Sequence, residues 1–179
     1  MRRSLSGDLV TVRAYREEHI DELLAAVLES IPEVAQYETW CHSGFTRNDA
    51  TEYVNWWRQA WTSGDAFYFA VEERDTGTLV GSCGLSSICR EHRRAGLGYW
   101  IRTGSTGNGF ATEAARLVAR FGFDDLDLAR VEVEVSVDNM ASLRVAEKLG
   151  CAREGVLHQR LILPAGPTDT LMFALLREK

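Results

Sequence analysis

The segment between residues 98 and 114 constrains the fold of this chain more than any other. Residues 98–102 have the sequence of a strand, the residues up to Gly109 are rich in glycine, and a helical apolar pattern begins at Phe110. Gly107 and Gly109 carry no Cβ, so the backbone can come close to an anion, and the free N–H groups of a helix start point at it. The positive end of the helix dipole lies at the same place. The segment therefore predicts a phosphate-binding junction.

Three kinds of phosphate-binding loop could form this junction, and two fit the sequence poorly. A P-loop needs Lys and then Ser or Thr after its last glycine, whereas Phe110 and Ala111 follow Gly109, so the loop implies no general nucleoside triphosphate site. A dinucleotide fingerprint fits better, because Gly107, Gly109 and Thr112 follow its spacing. It begins, however, in the second half of the chain, with too few residues left for two mononucleotide halves. A nucleotide-cofactor oxidoreductase that binds NAD stays open as an alternative.

Length and composition predict one ordinary domain over residues 1–179, since 45% of the residues are hydrophobic and no linker or repeat divides the chain. The sequence has neither an apolar run long enough for a membrane span nor a signal-peptide pattern, which predicts a cytoplasmic protein with no membrane partner. A net charge of −6 argues against nucleic-acid partners. The four cysteines lack CxxC or disulfide spacing, so we expect reduced structural thiols and no metal.

Hydrophobic periodicity predicts a single α/β (mixed α+β) domain. The predicted strands are residues 9–13, 67–72, 78–85, 97–102, 130–137, 152–157 and 168–176. The predicted helices are residues 17–28, 50–62, 110–122 and 139–149, where Pro32 breaks the first pattern and Gly150 ends the last. These elements predict one mixed sheet with flanking helices.

Two blocks downstream of the glycine loop complete a recognisable order of motifs. Residues 131–139 (VEVEVSVDN) read as a strand and residues 142–150 (SLRVAEKLG) as the helix after it. With the glycine loop, they resemble the GCN5-related N-acetyltransferase (GNAT) family, in its ribosomal-protein N-acetyltransferase (RimJ/RimL)-like branch. The resemblance implies a central, mostly antiparallel sheet that is splayed at its middle. It also implies acetyl-CoA as cosubstrate and a primary amine as acceptor.

The resemblance further implies a cosubstrate site made mostly of backbone. Pantetheine would enter the splay like an added strand and face Trp100, Ile101 and Arg102. The pyrophosphate would be held by the amides of Gly107, Asn108, Gly109, Phe110, Ala111 and Thr112. Relatives usually have Arg or Gln three residues before the first glycine of the loop. This chain has Gly104 there, so we expect a weakened or re-routed contact with binding retained.

By the same resemblance, Asn139 contacts pantetheine and Ser142 donates the hydrogen bond that stabilises the leaving thiolate. Many relatives use Tyr in the second role, but no Tyr occurs in this helix, which leaves Ser142 as the candidate. Asn139 is also a good N-cap for the helix whether or not a ligand binds, and both roles can hold at once.

The motifs do not identify the general base. Some ribosomal-protein acetyltransferases have a glutamate before the last strand, and the corresponding residue here is Leu161. Glu132 and Glu134 share one face of their strand, and either could take the proton directly or through water. A structural ion pair is the commoner use of each carboxylate taken singly. His158 is a further candidate.

Two features predict where the acceptor binds. Asp169 precedes the last strand, where it could orient an amine or cap a loop. Trp56 and Trp57 are adjacent on a helix and point about 100° apart, so they cannot both enter one core stripe. We assign Trp57 to the acceptor groove, with a homodimer contact as the other use of an exposed Trp. An aromatic groove favours a peptide terminus or a hydrophobic amine.

These observations predict an acetyl-CoA-dependent N-acetyltransferase. Its acceptor would be a protein N-terminal α-amine or a small-molecule amine, acetylated by direct transfer in a ternary complex without a metal. A ping-pong route would need an activated cysteine, and neither Cys83 nor Cys151 has a base nearby in sequence. The alternatives are a non-catalytic coenzyme A-binding module, which the missing base favours, and the oxidoreductase.

Overall fold

The computed structural model describes residues 1–177, which contain four helices and eight strands. In chain order these are β1 (Ser4–Ser6), β2 (Val10–Ala14), α1 (Ile20–Val34), α2 (Arg47–Ser63), β3 (Phe67–Glu73), β4 (Leu79–Cys89), β5 (Arg94–Ile101), α3 (Phe110–Asp125), β6 (Arg130–Ser136), α4 (Met140–Leu149), β7 (Ala152–Leu163) and β8 (Gly166–Leu176). Single 3₁₀ turns precede α1 at Glu17–His19 and follow β5 at Thr103–Ser105. Each element predicted from the sequence has a counterpart in this order.

The strands form one open sheet in the order β1-β2-β3-β4-β5-β6-β8-β7. Neighbouring strands are antiparallel except for β5 and β6, which are parallel. This parallel pair is joined only where residues 94–96 meet residues 130–132, and beyond that point the two strands diverge. The predicted mixed, mostly antiparallel sheet, splayed at its middle, is confirmed.

Helices cover both faces of the sheet, because strand side chains alternate between the faces. On β3, Phe67 and Phe69 pack in one cluster, with apolar residues of α3 and α4. The residues between and after them, Tyr68 and Ala70, pack in the other cluster with α1 and α2. None of the helices in the described part of the chain is long and apolar enough to cross a membrane.

Helix α1 and strand β7 extend beyond their predicted ends, and strand β1 was not predicted, each for a local reason. Helix α1 continues through Pro32 to Val34; proline removes one N–H donor but has a helical φ, so the last turn tolerates it. Strand β1 has only three residues, too few for a periodic pattern. Strand β7 continues beyond Leu157 after an irregularity at which Gln159 adopts a φ of 48°, and this irregularity interrupts the alternation that sequence patterns reveal.

Candidate active site

Two cavities meet where β5 and β6 diverge. The larger, which we call the loop cavity, has a volume of about 520 Å³ and lies between β5, the glycine loop and the first turns of α4. The smaller, the strand cleft, has a volume of about 100 Å³ and lies between the separated ends of β5 and β6 and the far end of β7. Both are lined by Tyr37, Glu38, Tyr99, Asn139 and Ser142. These five residues form a shared wall at which molecules in the two cavities could meet.

The glycine loop presents a run of free amides to the loop cavity. Gly107 and Gly109 both have a φ of 84°, in the left-handed region that favours glycine. The first backbone hydrogen bond of α3 runs from the Glu113 N–H to the Gly109 carbonyl, at 3.0 Å. Within residues 1–177, the amides of residues 107–112 have no hydrogen-bond acceptor. They form a cradle for an anion at the positive end of α3.

Hydrogen bonds to the N-terminal turn fix the position of this loop. The Glu113 carboxylate accepts hydrogen bonds from the N–H groups of Asp8, Leu9 and Val10, at 3.0, 2.7 and 2.7 Å. A Cβ added to Gly109 would lie 3.3 Å from the Leu9 side chain. The start of α3 and the start of β2 are therefore locked together, with glycine required where they touch.

Gly104 is explained by its contact with α1. The Glu29 carboxylate accepts a hydrogen bond from the Gly104 N–H at 2.7 Å, and a Cβ at Gly104 would lie 2.6 Å from a Glu29 oxygen. A side chain at this position, such as the Arg or Gln that relatives carry, would require the Glu29 carboxylate to move. The turn before the loop is thus fastened to α1 through its backbone.

Arg102 does not have the position that the sequence predicted. Its guanidinium pairs with Glu29, its N–H donates to the Val80 carbonyl at 2.8 Å, and it lines neither cavity. Trp100 and Ile101 do line the loop cavity, as do all the predicted loop residues except Asn108. The Asn108 side chain instead donates to the Ser105 carbonyl at 3.2 Å.

The backbone of β5 is free along the splay. The Arg102 N–H donates to the Val80 carbonyl of β4 at 2.8 Å, and because antiparallel strands direct alternate residues toward the partner, Trp100 faces β4 as well. Tyr99 and Ile101 therefore direct their N–H and C=O groups toward β6, which has diverged by this point. An extended ligand could add to this edge as a short strand.

The start of α4 faces both cavities. The Asn139 side chain accepts a hydrogen bond from the Ser142 N–H at 3.0 Å, so Asn139 is the N-cap. The Tyr99 hydroxyl donates to the Ser142 carbonyl at 2.9 Å, which commits its only proton. Burial raises the pKa of Tyr99, so this hydroxyl stays protonated. In the described residues the Ser142 hydroxyl has no hydrogen-bond partner, and it can donate to a ligand in either cavity.

The two carboxylates proposed as bases have different surroundings. Glu132 lies at the paired end of the strands, bound to Arg94 at 2.9 Å and to Arg130 at 3.0 Å, and it lines neither cavity. Two guanidinium groups therefore occupy Glu132, and the structure does not bring this predicted base to either cavity. Glu134 does line the strand cleft, beside Arg160 at 3.2 Å and the Thr170 hydroxyl at 3.1 Å.

Asp169 and His158 support the irregular part of β7 and line neither cavity. Asp169 accepts hydrogen bonds from His158 Nδ1 at 2.8 Å and from the Gln159 N–H at 2.7 Å. The Gln159 N–H and His158 lower the pKa of Asp169. The Asp169 carboxylate thus supports the left-handed conformation of Gln159, and the structure does not bring this predicted acceptor-binding residue to either cavity.

Trp57 is a core residue. Its ring stacks on Tyr68 with centroids 3.9 Å apart, and it lines neither cavity, so the structure does not bring it to the predicted acceptor groove. The adjacent Trp56 has 66% of its surface exposed on α2. The argument that both rings cannot enter one core stripe is confirmed, but the inward ring packs against β3 instead of lining the groove.

The sequence analysis missed Glu38. This residue lies in the turn after α1, where its N–H donates to the Val34 carbonyl at 2.9 Å, and its side chain is part of the shared wall. The Trp40 indole donates to its carboxylate at 3.0 Å, and it forms no ion pair within residues 1–177. Burial raises the pKa of Glu38. No motif surrounds it, so only its position in the fold reveals it.

Two cations were also underestimated. Arg144 and Lys148 lie one turn apart on α4 and both line the loop cavity. Sequence analysis had no reason to separate them from ordinary surface residues. Together with the amide cradle, their positive charges would attract a polyanionic ligand to this cavity.

The thiols are poorly suited to nucleophilic attack. Burial raises the pKa of Cys41 and Cys83, and it raises the pKa of Cys151 to about 11. A thiol with such a pKa is protonated near neutral pH, whereas the thiolate is the nucleophile. Among residues 1–177, no cluster of three or more His, Cys, Asp or Glu side chains could hold a metal ion.

Curated relatives match part of the chain. The uncharacterized N-acetyltransferase YoaA of Bacillus subtilis (strain 168) is 37% identical over 111 residues, which are 62% of this chain and 63% of that protein. The putative ribosomal N-acetyltransferase YdaF of the same organism is 31% identical over 103 residues, 58% of this chain and 56% of that protein. The chain therefore spans less than two thirds of the length of these relatives.

Solved structures match over nearly the whole chain. A putative ribosomal-protein-serine acetyltransferase from Vibrio cholerae superposes with a TM-score of 0.86 and 26% identity, covering 99% of this chain and 100% of that one. RimL, a ribosomal L7/L12 alpha-N-protein acetyltransferase solved with coenzyme A, has the same fold, with a TM-score of 0.88 and 21% identity over 95% of each chain. The family model for the acetyltransferase (GNAT) domain matches residues 10–152. The chain therefore belongs to the GNAT family, as its motif order predicted.

Proposed function

We propose that this protein transfers an acetyl group from acetyl-CoA to a primary amine, with both substrates bound at once. The observation that carries this proposal is the pair of cavities with a shared wall. One holds an amide cradle and the other a carboxylate, and Ser142 faces both. A thioester entering from one side and an amine entering from the other would meet there.

The loop cavity suits the chemistry of coenzyme A. Its free amides at residues 107–112 can bind the pyrophosphate, and Arg144 and Lys148 add positive charge for the remaining phosphate. The free backbone of Tyr99 and Ile101 can pair with the two amides of pantetheine. Each requirement of the cosubstrate thus has a group in place, and none of them depends on the side chain that Gly104 replaces.

The strand cleft suits a positively charged acceptor with an apolar neighbour. Glu38 and Glu134 supply negative charge, and no Lys or Arg is among the lining residues. The remaining wall is largely aliphatic, formed by Leu97, Val133, Val135, Leu161 and Leu163. We therefore propose an N-terminal α-amine of a peptide as the acceptor. Its reference pKa of about 7.7 to 8 makes it easier to deprotonate than a lysine ε-amine, at about 10.4.

Direct transfer follows from the groups available. The neutral amine attacks the thioester carbon, a backbone N–H of the free β5 edge polarises the thioester oxygen, and the C–S bond breaks. Ser142 donates to the departing sulfur, which takes up a proton to give coenzyme A. Cys83 and Cys151 remain protonated, so an acetyl-cysteine intermediate has no ready nucleophile.

A thiol-release assay tests the proposal. We would mix the protein with acetyl-CoA and with peptides that differ only in a free or blocked N-terminus, and include a lysine peptide and a polyamine. Release that requires the free N-terminus supports the proposed acceptor. Release with the lysine peptide or the polyamine alone would show that the acceptor is a different amine and would still support acetyl transfer. Stabilisation by coenzyme A without release from any amine would indicate a binding module, and stabilisation by NAD alone would overturn the proposal.

A further inference from the structure

We propose that Glu38 is the general base of the reaction, and that its carboxylate takes the proton from the acceptor ammonium where the two cavities meet. This rests on the acetyl transfer proposed above and names the group that the sequence motifs leave unassigned. Glu38 comes from the turn after α1, far in sequence from the strand and helix that carry the family motifs.

Position is the first argument. Of the carboxylates near the splay, Glu134 lines only the strand cleft, and Glu132 lines neither cavity. Glu38 lines both. An acceptor nitrogen that reaches a thioester must cross this shared wall, so a base is most useful there.

The turn that carries Glu38 is held against the start of α4. The Tyr37 hydroxyl donates to the Asp138 carbonyl at 3.3 Å, next to the N-cap of that helix. The Glu38 carbonyl accepts a hydrogen bond from the Cys41 N–H at 3.1 Å. The backbone on either side of the carboxylate is therefore fixed relative to the helix that carries Ser142.

Availability is the second argument. Glu134 is already occupied by the guanidinium of Arg160 and the hydroxyl of Thr170. Glu38 has only the neutral indole of Trp40 as a donor and no ion pair in the described residues. Burial raises its pKa, which brings it toward the range in which a carboxylate accepts protons well.

The titratable groups in direct electrostatic contact with Glu38 are neutral, and no cation forms an ion pair with it in the described residues. Cys41 is on the same turn, Tyr53 on α2, Tyr68 on β3 and Tyr99 on β5. Burial raises the pKa of each, so these groups are neutral near pH 7. Glu134, paired with Arg160, is the other carboxylate that lines the strand cleft, and Glu33, Arg144 and Lys148 line the loop cavity. Because no Lys or Arg lines the strand cleft, an ammonium group that enters it meets two carboxylates, and its proton moves more readily to the one without an ion pair.

The proton balance is complete. Ionised Glu38 takes one proton from the ammonium and leaves a neutral amine. The amine forms the C–N bond, the C–S bond breaks with its electron pair on sulfur, and the second nitrogen proton passes to the thiolate. Glu38 then releases its proton to solvent. Leu161, at the position where some relatives carry a glutamate, is part of the apolar wall and supplies no base.

The test is Glu38→Gln, which can keep the hydrogen bond from Trp40. We expect kcat to fall by about 10²- to 10⁴-fold, the usual contribution of a general base, while the thermal shift with coenzyme A is unchanged. The loss should shrink as the pH rises past the pKa of the acceptor amine, because the amine then needs no base. It should also be larger for a lysine-type amine than for an α-amine at the same pH. Glu91→Gln, on the exposed β4–β5 turn, is the matched control and should retain wild-type kinetics.

Each outcome decides between the two proposals. Wild-type release with an unchanged kcat in Glu38→Gln overturns the role of Glu38 and leaves the acetyl transfer intact. A loss of kcat that is the same at every pH and for both amines also overturns it, because a displacement of the residues that line the cavities would produce such a loss. If the wild type releases no thiol with any amine, both proposals fail together.

Discussion

The loop cavity and the strand cleft are built in opposite ways. The loop cavity takes its amide cradle from one short segment, held by two left-handed glycines, and only Arg144 and Lys148 of α4 add charged side chains opposite it. The strand cleft takes its polar side chains from the turn after α1, from β6 and from α4. A common cosubstrate can be bound by a backbone geometry that any sequence with the right glycines reproduces. An acceptor is recognised by side chains, which can change one at a time.

The largest effect outside Glu38 should come from the group that faces both cavities. Ser142→Ala should lower kcat on the order of 10²-fold, because the leaving sulfur loses its donor. Since only the N–H of Ser142 takes part in the helix cap, the melting temperature should hardly move. Initial rates and thermal melts measure both.

Asn139→Ala is the paired control on the same helix. It removes the cap acceptor, which costs about 1 kcal/mol and roughly 2–4 °C of melting temperature in a domain of this size.

A full kcat in Ser142→Ala would assign the proton donor to another group and break the proposed link between the two cavities.

A second prediction concerns the backbone character of the loop cavity. Gly107→Val should weaken coenzyme A binding about tenfold, since a left-handed residue with a side chain costs about 1–2 kcal/mol and the loop would relax out of its binding shape. Gly77→Val is the matched control, because Gly77 has a φ of 71° in a remote turn and both positions have open space around a Cβ. Titration calorimetry should show weakened binding in the first variant alone. Equal affinities would show that the amides of this loop do not hold the cosubstrate.

Glu134 allows the two carboxylates of the strand cleft to be compared. Glu134→Gln should raise the KM for the acceptor several-fold and change kcat little, because an ammonium loses one attractive charge while the base is retained. Steady-state kinetics with a fixed saturating level of acetyl-CoA measure this. A fall in kcat larger than that of Glu38→Gln would exchange the roles of the two residues.

The smallest predicted effect is on stability. Burial raises the pKa of Glu38 in the folded protein above its unfolded value of about 4.3. As the pH rises above that value, ionising Glu38 therefore lowers the stability of the folded state, whereas ionising a paired carboxylate would raise it. Glu38→Gln should therefore melt at a higher temperature than the wild type at pH 7. The difference in melting temperature should vanish at a pH below the ordinary pKa range of glutamate. A variant that melts lower at pH 7 would contradict this account of the carboxylate.

The same contrast explains what the sequence could predict. The glycine loop, Asn139 as a cap and Ser142 at the helix start are local patterns, so their positions followed from spacing. Glu132 and Glu134 share a strand face, but only the structure shows that the strands are still paired at the first and separated at the second. Spacing could not locate Asp169 and Trp57, because their partners, Gln159 and Tyr68, depend on an irregular strand and on helix packing.

Glu38 and Gly104 show the same limit from the other side. Nothing near Glu38 in the sequence connects it with Ser142, because the two are brought together by the way α1 and α4 meet at the splay. Gly104 looked like a lost anchor, and the structure shows a Glu29 carboxylate in the space that a side chain would need. Contacts between distant segments thus decide the site where local patterns end.

The central claim is that a thioester and an amine meet at the shared wall. The most direct measurement is the affinity of a conjugate in which the sulfur of coenzyme A is joined through an acetyl unit to the N-terminus of a short peptide. Such a molecule would occupy both cavities at once, and we predict that it binds at least 10²-fold more tightly than coenzyme A alone. A conjugate that binds no more tightly than coenzyme A would contradict the account.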